Sequence, residues 1–210
     1  MSAVGLLYVG AVLFVNGMML LGYVSGPGAA PLNVFVGVLQ VVVPTLLIVS
    51  AGGDGTRVAE AAGLYFFGFT YLWLGVNLIT GWPHHGLGWF SLVVAVSGIG
   101  FAAHSWVALN DGVLAVQWLM WAILWSAFFV LLARDRTELA PAVGVLAIGN
   151  ALLTTGLPGF LILSGWWPHS PALAGSIAAL GLVLLALCRP AGRLLGAPPR
   201  PLEEGSMSTA

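Results

Sequence analysis

The 210-residue sequence has no lysine, one cysteine and only 6% charged residues, where a soluble domain carries about 25%. Each scarcity excludes something. Without lysine no retinal Schiff base can form, although seven apolar segments bring that chemistry to mind. A lone Cys188 permits no internal disulfide. A net charge of −1 and the absence of any basic cluster give nucleic acid nothing to bind. No Asp, Glu, Lys or Arg occurs in 1–53, 61–110, 112–133 or 139–188, so ion- or proton-coupled transport lacks the membrane-depth ionisable groups it needs. HExxH, GxSxG and paired acids are also missing from these stretches, and an enzyme is not expected.

What remains is 60% apolar, the composition of an integral membrane protein. A helix rises about 1.5 Å per residue, so roughly 20 apolar residues cross the hydrocarbon core. Dividing the uncharged runs at their Gly/Pro/Asn clusters predicts seven spans near 3–24, 32–50, 61–80, 87–104, 113–133, 139–163 and 171–188. The fold class is all-α, a polytopic helical bundle. Residues 189–210 read as a tail rich in proline and small polar residues. Arg134, Arg136, Arg189, Arg193 and Arg200 fall on one side, which the positive-inside rule makes the cytoplasm, leaving the N-terminus outside. Gly37, Ser91 and Gly144 recur in similar contexts at an interval of about 54 residues, which points to three related two-helix units followed by an added helix. Pro44 and Pro158, inside the second and sixth spans, are expected to free carbonyls and kink their helices.

Four histidines, His84, His85, His104 and His169, raise the alternative of a membrane-embedded haem or metal enzyme. Adjacent His84 and His85 point different ways, so no metal or cofactor is expected. Neutral polar residues are more telling. Asn16, Gln40, Thr70, Tyr71, Asn77, Gln117, Asn150, Thr154 and Thr155 sit in otherwise apolar spans. They either bridge helices, as in a non-transporting scaffold, or line a narrow path where amides and hydroxyls replace lost hydration.

Trp118, Trp121 and Trp125 fall at i, i+3 and i+7 in QWLMWAILW, a stripe along one helix face. Phe67 and Tyr71, four apart, give a second aromatic face, and Leu6, Leu13 and Asn16 share a face of the first span. Indole walls with a few hydrogen-bonding edges suit a flat, neutral, polar solute and repel a hydrated ion. Packing alone shows the same period, so both readings stand at this point.

The segments GLLYVGAVLFVNG (5–17), PLNVFVGVLQVVVPT (31–45), GLYFFGFTYLWLGVN (63–77), GLGWFSLVVAV (86–96) and WLMWAILW (118–125) resemble the AmiS/UreI family of urea and short-chain amide channels. The resemblance covers roughly 3–163 and implies a six-helix channel domain, 1–163, built from three hairpins, with 164–188 as an additional helix. It implies passive conduction of urea or acetamide-like amides through a pore in each protomer. It further implies a homohexamer around membrane lipid in a bacterial inner membrane, working beside a cytoplasmic urease or amidase. By motif, Leu13 and Phe67 would be constrictions and Tyr71, Trp118, Trp121 and Trp125 an aromatic filter. Leu6, Asn16, Asn77 and Asn150 complete the candidate path. Asn150 stands where family members commonly carry Glu. The segments 51–60 and 105–112 are short and free of histidine, so strong acid activation is not expected.

Overall fold

A computed structural model describes residues 3–168, 170 and 172–197. His169 and Arg200 lie outside the described residues. The described chain is helical: α1 (Ala3–Leu20), α2 (Gly26–Ser50), α3 (Gly55–Ala62), α4 (Leu64–Thr80), α5 (His85–Val107), α6 (Gly112–Ala133), α7 (Ala140–Asn150), α8 (Leu157–Leu163) and α9 (Ala172–Leu195). A π-helical turn, Ala151–Gly156, joins α7 to α8. Taking α3 with α4 and α7 with α8, seven segments are long and apolar enough to cross a membrane. The protein is a multi-pass membrane helical bundle.

Two of the few charges sit where helices begin. Asp54 accepts from the N–H groups of Thr56 and Arg57 at the start of α3, and Asp111 accepts from Leu114 N–H at the start of α6. Each carboxylate satisfies donors that a helix start leaves open. Some boundaries differ from those read in the sequence. The second span begins at Gly26, because Ser25 caps it and proline is tolerated in a first turn. The seventh runs through Pro190 to Leu195, so Arg189 and Arg193 are helical.

Lipid gives helices no hydrophobic reason to associate, so small residues set the seams. The most extensive contacts join α2 to α4, α5 to α6, and α1 to the sixth span. A Cβ at Gly68 would lie 2.9 Å from Gln40 O, one at Gly88 2.5 Å from Ala133 N, and one at Gly10 2.3 Å from Gly156 Cα. The second helix of each two-helix unit therefore lies flush against the first helix of the next, closing a ring of six. Helix α9 packs outside that ring on α7 and α6. Leu184 fills the space beside Gly149, and Gly192 meets Pro141 and Ala142.

Candidate solute path

Phe67 on α4 is the hub of the aromatic core. Its ring is 5.0 Å from Trp121, 4.8 Å from Trp125 and 6.1 Å from Trp118, edge-on or tilted to each. Trp118 in turn stacks on Phe101 of α5 at 4.7 Å. All three indoles are at most 5% exposed, which places the stripe inside the bundle and away from lipid.

Hydrogen bonds fix the stripe from behind. Trp121 Nε1 donates to Thr154 Oγ1 at 2.8 Å, and that hydroxyl donates to Asn150 O at 2.7 Å. Pro158 has no N–H for the carbonyl four residues earlier, that of Thr154. Gln117 Nε2 supplies the missing donor at 3.0 Å. The π turn thus turns Thr154 toward α6, where backbone and side chain each hold one residue of the tryptophan helix.

Two cavities flank these rings. The first, about 150 Å³, is lined by Leu13, Asn16, Phe67, Tyr71, Trp121 and Trp125 and reaches His84, Leu87 and Leu131. That volume admits several water-sized molecules. The second, about 760 Å³, is lined by Leu6 and Gln117 together with Trp106, Asn110 and Asp111. They lie toward opposite ends of α6. Gln117 borders one and Trp121 the other, so about 6 Å of helix rise separates them, with Trp118 in between.

Among the described residues, no Asp, Glu or Arg lines the first cavity. Its hydroxyls Thr70 and Ser91 are spent on carbonyls of their own helices. Asn16 forms a reciprocal amide pair with Asn33 of α2, at 2.9 and 2.7 Å. Tyr71 Oη has no hydrogen-bond partner among the described residues. At the mouth, His84 Nδ1 is 3.3 Å from Asn77 Nδ2. Burial, then the neighbouring His85, holds the His84 pKa below its usual 6.5. His85 faces elsewhere, with Nε2 2.9 Å from Asp135. The described residues contain no group of three metal-ligating side chains.

Seven of the ten predicted residues meet in this system: Leu13, Asn16, Phe67, Tyr71, Trp121 and Trp125 around the first cavity and Leu6 on the second. Trp118 is the partition. Asn77 and Asn150 stand apart. Asn77 is buried and turned to Pro83 O and His84, while Asn150 donates to Leu146 O and borders a crevice between α6, α7 and α9. Sequence reasoning missed Asn33, whose partner is 17 positions away, and Phe128, Leu131 and Leu132, which continue the tryptophan stripe at the same spacing.

The sequence model of the AmiS/UreI family of transporters matches residues 1–166. A protein of Mycolicibacterium smegmatis described as a transporter of amidate substrates is 50% identical over 198 residues, 94% of this chain and 93% of that protein. An acid-activated urea channel of Helicobacter pylori is 30% identical over 193 residues, 77% of this chain and 97% of that protein. Among solved structures, the closed-state cryo-EM structure of the Helicobacter pylori urea channel matches with a TM-score of 0.71 and 30% identity, covering 80% of this chain and 100% of that one. A ring of six helices closed by glycine seams around buried tryptophans, with a family match through residue 166, identifies this chain as a member of the AmiS/UreI transporter family.

Proposed function

We propose that the protein is a passive channel for urea and small aliphatic amides, with no catalytic activity. One observation carries the reading: a cavity with no charged side chain among its described lining residues, bounded by Phe67 and the indoles of Trp121 and Trp125, the first of them fixed by a hydrogen bond to Thr154 of the sixth span. A planar amide slides with its faces on the rings and its edges toward Tyr71 and Asn16, losing little solvation. A bare ion finds nothing there to replace its water. The relatives named for amide substrates and for urea support the same class of permeant.

The solute passes between Leu6 and Leu13, crossing the partition of Trp118 and Phe67, within the domain 1–163. The additional helix, α9, flanks that domain, and the residues after Leu195 lead into the cytoplasm. The N-terminus is then outside, in a bacterial inner membrane. The working unit is a homohexamer around lipid that feeds a cytoplasmic urease or amidase.

Uptake of radiolabelled urea and acetamide into proteoliposomes tests the reading. Entry should exceed that into empty vesicles for both solutes and stay at background for sodium. Amide entry equal to that of empty vesicles ends the proposal. Urea and acetamide, both flat and neutral, should both enter, and their rates should differ by no more than about 200-fold, the upper end of what a methyl-sized difference is worth in an apolar site.

A further inference from the structure

Away from the solute path, three arginines converge where the sixth and seventh spans reach one edge of the membrane. Arg136, Glu138, Arg189 and Arg193 border a cavity of about 340 Å³ floored by Leu139 and Pro141. Three guanidinium groups face one carboxylate there, and Arg136 Nε already engages that carboxylate. Arg189 and Arg193, one turn apart on α9, make no ion pair with any described residue. Like charges at this spacing repel, and an anion between them removes the penalty.

The arginines are also held in place. Cys188 is buried, and a Cβ at Gly192 would lie 2.7 Å from Ala142 N, so the end of α9 is seated directly on α7. Below the guanidinium groups, Leu182, Leu185 and Leu187 of α9 remain exposed. A cationic cradle above hydrocarbon-facing leucines matches a molecule with a phosphate at one end and acyl chains at the other. Guanidinium groups hold phosphate by paired hydrogen bonds, and basic pockets between transmembrane helices favour anionic headgroups.

We propose that Arg136, Arg189 and Arg193 bind the headgroup of an anionic phospholipid, clamping α9 to α7 from the membrane edge. The site shares no lining residue with either cavity of the solute path, and it uses a helix beyond the 166 residues matched by the family model.

The test uses the full chain in detergent, titrated with dioleoylphosphatidylglycerol, dioleoylphosphatidylcholine or sodium phosphate, with retained lipid read by native mass spectrometry and the unfolding midpoint by fluorescence. Phosphatidylglycerol should be retained and raise the midpoint, whereas phosphatidylcholine should do neither. R189Q/R193Q should bind phosphatidylglycerol roughly thirty-fold more weakly, at about one surface-charge increment per arginine. R189K/R193K should recover part of that binding, and R134Q, outside the cavity, should match wild type. Undiminished phosphatidylglycerol binding by R189Q/R193Q overturns the proposal. So does equal stabilisation by sodium phosphate, which would make the ligand a free anion. A lipid preference that emerges only after residues 198–210 are removed also overturns it, since Glu203 and Glu204 of the chain's own tail would then be the occupant.

Discussion

The second and sixth spans carry the same sequence device and use it differently. Each contains an interior proline, Pro44 or Pro158, and each has a polar residue four positions earlier whose carbonyl loses its helical donor, Gln40 or Thr154. In the second span the helix continues unbroken from Gly26 to Ser50. The carbonyl of Gln40 faces the backbone of α4 at Gly68, so closely that an added Cβ there would lie 2.9 Å from its oxygen. The sixth span opens into a π turn, and its carbonyl receives a full hydrogen bond from Gln117. One proline is absorbed by backbone packing, the other by side chains of the tryptophan helix. Proline announces that a carbonyl is free, but the neighbouring helix decides what that carbonyl does. The wall built on α2 and α4 is therefore set by glycine contact, and the wall built on α6 and the sixth span by a hydrogen-bonded relay.

If that contrast holds, the largest effects come from glycine. Gly10→Ala puts a methyl 2.3 Å from Gly156 Cα, backbone against backbone, with no side chain able to move aside. It should cost about 3 kcal/mol or more and leave little monodisperse protein by size-exclusion chromatography. Gly68→Ala meets Gln40 O at 2.9 Å and should cost about 1–3 kcal/mol in thermal unfolding, the milder of the two. Unfolding of Gly68→Ala at the wild-type midpoint would break the contrast, since the α2–α4 wall would then not be set by glycine contact.

Thr154→Val comes next and strikes the relay alone. It keeps the shape and removes the hydroxyl that holds Trp121 Nε1, leaving a buried indole N–H without a partner. The expected cost is about 1–3 kcal/mol in unfolding, with weakened discrimination of urea from glycerol in vesicle swelling. Thr154→Ser should restore both. If Thr154→Val conducts with unaltered selectivity, the relay is packing support with no bearing on the path.

The legible and the hidden parts divide along the same line. Seven spans could be read because the charge-free runs are long and divide at Gly/Pro/Asn clusters, with Asp54 and Asp111 at two of the helix starts. The tryptophan face and Phe67 could be read because helical period brings i, i+3 and i+7 together whatever surrounds them. The start of α2 was obscured by Pro27, Gly28 and Pro31, which look like a loop until Ser25 is seen to cap the first turn. Nothing local in ALLTTG indicates a π turn. Pro158 nearby signals only a freed carbonyl; the hydrogen bond from Gln117 and the Gly10–Gly156 contact come from helices distant in sequence and leave no periodic trace. The Asn16–Asn33 pair is hidden for the same reason.

Pro44→Ala acts on the second span alone, with a smaller effect. It returns an N–H to the Gln40 carbonyl without touching the relay, so unfolding should shift by no more than about 1 kcal/mol and urea flux should stay at the wild-type value in the proteoliposome assay. A clear drop in flux would mean that the second span also shapes the path through its free carbonyl.

The smallest effect concerns pH. Both walls are held together by neutral groups, so neither should titrate between pH 5 and 8. Among the described residues lining the first cavity, His84 carries the imidazole, and it stands on the α4 side beside Asn77. Burial and His85 lower its pKa in the folded protein below the 6.5 of an exposed histidine. Folding then favours the neutral ring. Stability is unaffected above pH 6.5, falls as the pH drops below that value, and levels off once the pH is beneath the lowered value. Urea flux measured from pH 8 downward should accordingly stay flat past pH 6.5 before any change appears, and His84→Gln should remove that change. A transition at or above pH 6.5, or one that persists in His84→Gln, would place the titrating group elsewhere and break the assignment of the neutral path to both walls.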